Sequence, residues 1–201
     1  MPNWCHSNVK IIGSSTNNLY PLIKMWTSKN YVENWFGTNW LGNIVGNSGI
    51  DTCTADTNFT VSCRGYISDL YYNDGVISFI QKTAWNPMFG LWFKIFDKYN
   101  LDCDIIYKAE EPGNDIFVTN DDDYIDEYYL DIWESIDEYP YIFYNECIDS
   151  ETLKEKCTHL LDLKSIQYDS SNLTDIVEKT NEAYCDNLAI HQWKYCAATD
   201  F

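Results

Sequence analysis

The sequence predicts an α+β protein: an antiparallel sheet with two helices on one face, followed by an acidic, mainly helical C-terminal extension. Three observations carry that prediction. Through the first 120 residues, segments of alternating polarity and segments of helical apolar spacing follow one another as strand, helix, strands, helix, strand. Apolar residues make up 45% of the 201 residues and aromatics 16%, enough to bury a core and to exclude wholesale disorder. The formal charge of −18 is confined to the second half. The first hundred residues hold seven Lys/Arg against six Asp/Glu, and the remaining 101 hold six against twenty-five. A near-neutral core is therefore expected over 1–120, with an acidic extension over 121–201 packed on it.

The elements follow in order. Asn8 to Ile12 alternates and ends at Gly13, a short strand with its turn. Ser14 and Ser15 are candidate caps for a helix over 16–28, with Leu19, Leu22, Ile23 and Trp26 on its buried face. Residues 30–58, rich in Gly, Asn and Trp, read mostly as loop. Segments 59–63 and 65–72 read as strands, and Asn73-Asp74-Gly75 as a hairpin turn into a strand over 76–80. Asn86-Pro87 has the form of a helix start, and Phe89, Leu91, Trp92, Ile95 and Phe96 supply its stripe through Tyr99. A strand over 101–107, a turn at Pro112-Gly113-Asn114 and a short strand over 115–119 complete the core. Beyond it, Ser150 reads as the cap of a helix over 151–163. Ser171 or Asn172 begins another to about Tyr184, and 141–144 reads as a strand or docked aromatic segment.

Four short motifs occur in a fixed order: Met1-Pro2-Asn3-Trp4-Cys5, Asn34-Trp35-Phe36-Gly37-Thr38-Asn39-Trp40, Thr83-Ala84-Trp85-Asn86-Pro87, and Tyr107 with Glu110-Glu111-Pro112-Gly113. On these the chain resembles the phage- and plasmid-borne YubB-type ferredoxin-like family over about 1–120, departing from its pattern at Ser7 and Phe36. The resemblance implies a split β-α-β ferredoxin-like core and residence on a mobile genetic element, and it supplies no catalytic residue. Taken by themselves, Trp4, Trp35, Trp40 and Trp85 sit beside Gly, Pro or Asn and read as core tryptophans pinning tight turns, rather than as a base-stacking platform.

Between Ala109 and Leu153 there are fifteen acids and no Lys or Arg. Over 121–138 the spacing of Ile125, Tyr128, Tyr129, Ile132 and Ile136 predicts an amphipathic helix, with Asp123, Glu127, Asp131, Glu134 and Glu138 lining another face. An edge strand over 123–133 is the alternative geometry. A surface selected only for stability would mix in Lys, because like charges at i,i+4 and anions near a helix C-terminus are both unfavourable. The expected partner-binding residues are Asp121, Asp122, Asp123, Asp126, Glu127, Asp131, Glu134, Asp137 and Glu138, with Tyr124, Tyr128 and Tyr139 as anchors. Divalent-cation binding by Asp121, Asp122, Asp123 and Asp126 lacks the Gly and terminal Glu of a dedicated calcium loop.

Other chemistries find little support. No G-x-S-x-G, H-E-x-x-H, P-loop or dinucleotide fingerprint occurs, and none of the eight cysteines lies in C-x-x-C spacing. Cys5 and His6 are neighbours on a strand and point to opposite faces, while His159 and His191 read as surface and packed residues. No catalytic residue, metal or cofactor is predicted. No basic n-region with an apolar h-region opens the chain and no apolar run approaches a membrane span, so a cytoplasmic protein of the host cell is expected. Acidity excludes nucleic acid and anionic membranes as direct partners and favours basic protein surfaces. The expected function is a phage- or plasmid-encoded anti-defence inhibitor of anti-CRISPR type. It would bind a basic, nucleic-acid-handling surface of a CRISPR–Cas effector or restriction enzyme. The alternatives are a nucleotide- or small-ligand-binding enzyme on the ferredoxin-like core, and a structural or assembly protein of the element.

Overall fold

The computed structural model describes residues 3–31, 37–50, 62–125, 127–134 and 146–201. In chain order these form β1 (Trp4–Ile12), α1 (Thr16–Trp26), α2 (Leu41–Ser48), β2 (Gly65–Asn73), β3 (Val76–Ala84), α3 (Gly90–Lys98), β4 (Asp104–Glu111) and β5 (Ile116–Thr119). They continue as β6 (Tyr128–Ile132), β7 (Glu146–Ile148), α4 (Ser150–Leu163), α5 (Leu173–Ala183), β8 (Leu188–Gln192) and β9 (Lys194–Tyr195). Two compact units result: one extends to Asp122 and regains Tyr195–Phe201, and the other is Asp123–Lys194.

The first unit is built on a six-stranded sheet in the order β2-β3-β1-β4-β5-β9. The ladders of β1 with β3 and β4, of β2 with β3, and of β4 with β5 are all antiparallel. Strand alternation divides β1 cleanly: Cys5, Ser7, Val9 and Ile11 are buried, and Trp4, His6, Asn8 and Lys10 are not. Over the buried face close Leu19, Ile23 and Trp26 of α1, Leu41, Ile44 and Val45 of α2, and Leu91, Trp92, Ile95 and Phe96 of α3. Each such side chain stabilises the fold by roughly 1.5–3 kcal/mol relative to exposure.

Among the described residues three helices, not two, cover that face. The additional one, α2, lies in the stretch read as loop. Its signal is masked by Gly42 and Gly46, each costing about 1 kcal/mol of helix propensity. Both glycines are there for packing: a Cβ at Gly42 would enter the Trp40 ring, and one at Gly46 the Tyr31 ring. Buried Asn43 then fixes the helix, its Nδ2 donating to the carbonyls of Trp26, Lys29 and Thr38 at 3.0, 3.0 and 2.8 Å. The helix expected at Asn86-Pro87 begins only at Gly90. The intervening residues form an irregular segment held by Thr83 Oγ1 donating to the Asn86 carbonyl (2.7 Å) and Gln81 Nε2 to that of Met88 (3.0 Å). Of the strand expected over 59–63, Ser62 and Cys63 are irregular and the rest lies outside the described residues.

The second unit pairs a three-stranded sheet, β7-β6-β8, with helices α4 and α5. Leu130 and Ile132 of β6 bury against Leu153, Cys157, Leu160 and Leu161 of α4, Ile176 of α5, and Leu188 and Ile190 of β8. The caps are polar: Asp149, one residue earlier than expected, accepts the amides of Glu151 and Thr152 at 2.9 and 2.8 Å, and Asn172 accepts those of Thr174 and Asp175. The acidic segment is not the expected helix. Asp122–Tyr124 make one 3₁₀ turn and Tyr128–Ile132 are the central strand of the sheet, not its edge. Aromatic and β-branched residues at 128, 129 and 132 suit a pleated surface. A strand also removes the i,i+4 proximity of carboxylates that a helix would impose. Ile136 and the segment 141–144 lie outside the described residues.

Candidate functional site

The residues expected to form one acidic row are distributed instead. Asp121 is nearly buried at the end of β5, where its Oδ2 meets Lys10 Nζ at 2.7 Å and its amide donates to Thr119 Oγ1 at 3.0 Å. Asp122 and Asp123 are exposed, and Tyr124 is half-buried. Tyr128 and Asp131 are half-buried parts of the second sheet, with Tyr128 opposite Gln192 and Asp131 opposite Ala189, and Glu127, also half-buried, immediately precedes β6. Glu134 is exposed. Asp126, Asp137, Glu138 and Tyr139 lie outside the described residues. Among the described residues, no group of three or more His, Cys, Asp or Glu is arranged to hold a metal ion.

The acidity is displayed by elements whose charge the sequence reading left unassigned. Unit Asp123–Lys194 contains seventeen Asp/Glu against five Lys, a formal charge of −12. On α4, Glu151, Glu155 and Asp162 are all exposed, and steps of four and seven place them within about 40° of one helical face. That row spans about 16 Å at ~1.5 Å per residue. On α5, Glu178 and Glu182 repeat the exposed i,i+4 arrangement. The signal is legible as Glu/Asp recurrence in two well-capped helices, C-terminal to a denser acidic run.

The first unit brings three of the four short motifs to one end of its sheet. The Trp85 amide donates to the Asn3 carbonyl at 2.9 Å, and Asn114 Nδ2 to the Trp85 carbonyl at 3.4 Å. A Cβ at Gly113 would collide with the Asn3 amide group, so the absence of a side chain there lets two motifs meet. Glu111, buried, accepts the Gly113 amide at 3.0 Å through Oε1, and its Oε2 has no hydrogen-bond partner among the described residues. Trp85 is not the expected core residue. It is 48% exposed in a left-handed backbone conformation, φ 70°, which a bulky side chain rarely adopts. Arg64, the only arginine, places its Cζ 4.7 Å from the Trp85 ring centroid. Trp4 and Trp40 are half-buried, and Trp35 lies outside the described residues. Among the described residues the fully buried tryptophans are Trp26, Trp92 and Trp193.

The sheet face opposite the helices continues from there. Trp4 meets Tyr66 edge-on at 5.9 Å, and His6 stands opposite Lys82 on β3 and Glu110 on β4. Partial desolvation, then the Lys82 ammonium, lowers the His6 pKa. Asn8 stands opposite Ile80 and Lys108 in the next row. Cys5 points the other way, into the core, where burial pushes its thiol up to about 12. A thiol so protonated is no nucleophile, and its neighbour His6 cannot reach it across the sheet. Comparison with protein-family models, with curated proteins and with solved structures returned no match to this chain.

Proposed function

We propose that the chain is a phage- or plasmid-encoded inhibitor of a host defence complex, acting in the host cytoplasm. Its acidic unit would bind a basic, nucleic-acid-handling surface of a CRISPR–Cas effector or a restriction enzyme. The observation that carries this reading is the −12 formal charge of Asp123–Lys194, shown outward by Glu151, Glu155 and Asp162 on α4 and by Glu178 and Glu182 on α5. Rows of carboxylates on a rigid helix offer a cationic groove what a phosphate backbone offers, and charge complementarity of this kind speeds and orients association. The proposed site is thus relocated from the 121–138 run to the helices.

The same proposal takes the first unit as a ferredoxin-like scaffold. Its strand order β2-β3-β1-β4, with α1 between β1 and β2 and α3 between β3 and β4, is that of a split β-α-β unit, and supports this reading. Convergence of the opening, Thr83–Pro87 and Glu110–Gly113 motifs at one sheet end supports the YubB-type kinship. Infection of cells that carry a defence system, with and without the expressed chain, tests the function. Plating of the infecting element is expected to recover with the wild-type chain. It should not recover with a variant carrying Glu151, Glu155, Asp162 and Glu178 changed to Lys, which keeps its fold because those residues are exposed. Full protection by the reversed variant, or none by the wild type in any such system, would contradict the reading.

A further inference from the structure

We propose that the cavity between the end of α1 and β2 is a binding site for a free α-amino acid with an apolar side chain, its carboxylate held by Lys24 and its ammonium by Asp69. This inference is independent of the inhibitor reading and concerns the other unit.

Three observations carry it. First, the cavity has the size and lining that such a ligand needs. Its volume is about 230 Å³, below the ~300–1,000 Å³ of pockets for drug-sized molecules, so it suits a metabolite of few atoms. Ile67 and Leu70 give it an apolar wall, and Lys24, Thr27, Asn39, Ser68 and Asp69 a polar one. The wall is tied together: the Asn39 carbonyl accepts the Ile67 amide at 3.0 Å, and Thr27 closes α1 by donating its hydroxyl to the Ile23 carbonyl at 2.9 Å.

Second, opposite charges share this cavity without meeting. The Lys24 ammonium makes no ion pair or hydrogen bond among the described residues. Among those residues the Asp69 carboxylate accepts only the Ser68 hydroxyl, at 2.9 Å through Oδ2, which leaves Oδ1 for another donor. A small molecule that carries both signs satisfies both groups. A simple anion or a simple cation would leave one of the two charges facing it unanswered. The Asn39 carboxamide adds a donor for the ligand carboxylate, and Leu70 and Ile67 a surface for the side chain.

Third, the backbone at Asp69 is built against local preference. Ser68 pairs with Ile80 and Tyr71 with Ser78, so Asp69 and Leu70 together oppose Phe79 in a β-bulge. Asp69 takes φ 54° there, the left-handed position that bulges of this kind give to glycine. A bulge re-aims the side chain it carries, and strained positions of this sort concentrate at functional sites. A carboxylate stands where glycine is easier, and it lines the cavity. In the sequence Asp69 is one acid within a strand; only the bulge and the packing of α1 bring it to the cavity of Lys24.

The test is isothermal titration calorimetry of the full chain with L-leucine and L-valine, with N-acetyl-L-leucine and L-leucinamide as analogues that each lack one charge. Saturable binding of the two amino acids is expected, and binding weaker by about tenfold or more for each analogue, as loss of one charged hydrogen bond implies. Lys24→Met and Asp69→Asn should each weaken L-leucine binding by a similar factor, asparagine tolerating the same backbone. Asp69→Gly should abolish binding while the urea midpoint stays level or rises, because glycine takes the left-handed conformation without strain. Lost binding with kept stability is what a bulge residue serving the fold alone would not show. No heat with either amino acid, analogues that bind as tightly as L-leucine, or binding indifferent to Lys24→Met and Asp69→Asn overturns the proposal.

Discussion

Trp92 is fully buried and donates its indole N–H to Gln81 Oε1 at 2.8 Å, whereas Trp85 stands half in solvent. Trp92→Ala should therefore cost roughly 3–5 kcal/mol in urea denaturation, from the cavity and the orphaned Gln81 oxygen. Trp85→Ala should cost about 1 kcal/mol or less, since a cation–π contact at an exposed site contributes ~0.5–1 kcal/mol and removal of the bulky ring does not open the core. Equal losses from the two substitutions would show that Trp85 is a core residue after all. The cysteines divide in the same way. Cys5 and Cys157 are buried, with thiols pushed up to about 12 and about 11 chiefly by burial, while Cys185 is exposed. Alkylation at pH 8 followed by mass mapping should modify Cys185 well before Cys5 or Cys157. Early labelling of Cys5 would contradict its placement in the core.

At the scale of elements, β6 shows what a periodic pattern can and cannot decide. Ile125, Tyr128, Tyr129 and Ile132 satisfy a helical stripe, but the aromatic and β-branched residues of Tyr128–Ile132 also suit a strand, and pairing with both β7 and β8 favours the strand. Partners remote in sequence made that choice, so it was not legible locally. Elements closed by their own residues were legible: α1 by Leu19, Ile23 and Trp26, the β2–β3 hairpin by Asn73-Asp74-Gly75, α5 by its Asn172 cap. The site was legible as charge but not as place, because acids in 121–134 are partly taken into structure, as Asp121 is by Lys10, while those on α4 and α5 stay outward. The caps give a direct check. Asn172→Ala leaves the Thr174 and Asp175 amides without their acceptor and should cost about 1 kcal/mol, read as a lowered urea midpoint. An unchanged midpoint would mean that α5 begins elsewhere.

For the molecule as a whole, charge sets both stability and association. Asp149, Asp169 and Asp175 have lowered carboxyl pKa values, held respectively by the Thr152 amide, the Ser171 hydroxyl and the Asp169 amide. A depressed carboxyl stabilises the fold above its unfolded value and loses that contribution as pH falls below about 4. The raised thiols of Cys5 and Cys157 act at the other end. Their burial is without penalty below about pH 9, and stability then falls towards pH 11–12 by at most ~1.4 kcal/mol per unit for each thiol. Denaturation midpoints should accordingly be level from about pH 7 to 8.5 and drop on both sides, on the acid side first through His6, whose lowered pKa lets the unfolded chain take up a proton before the fold does. A midpoint that falls steadily across neutral pH would point to a titrating group other than these.

The claim that the acidic helices do the binding is tested most directly by salt. The affinity of the purified chain for a CRISPR–Cas effector or restriction enzyme against which it protects cells would be measured from about 50 to 500 mM salt, alongside the variant with Glu151, Glu155, Asp162 and Glu178 changed to Lys. The expected result is an affinity that falls steeply with salt for the wild type, and a loss of several kcal/mol for the variant at low salt that shrinks as screening rises. An affinity indifferent to ionic strength, equal for both proteins, would contradict it.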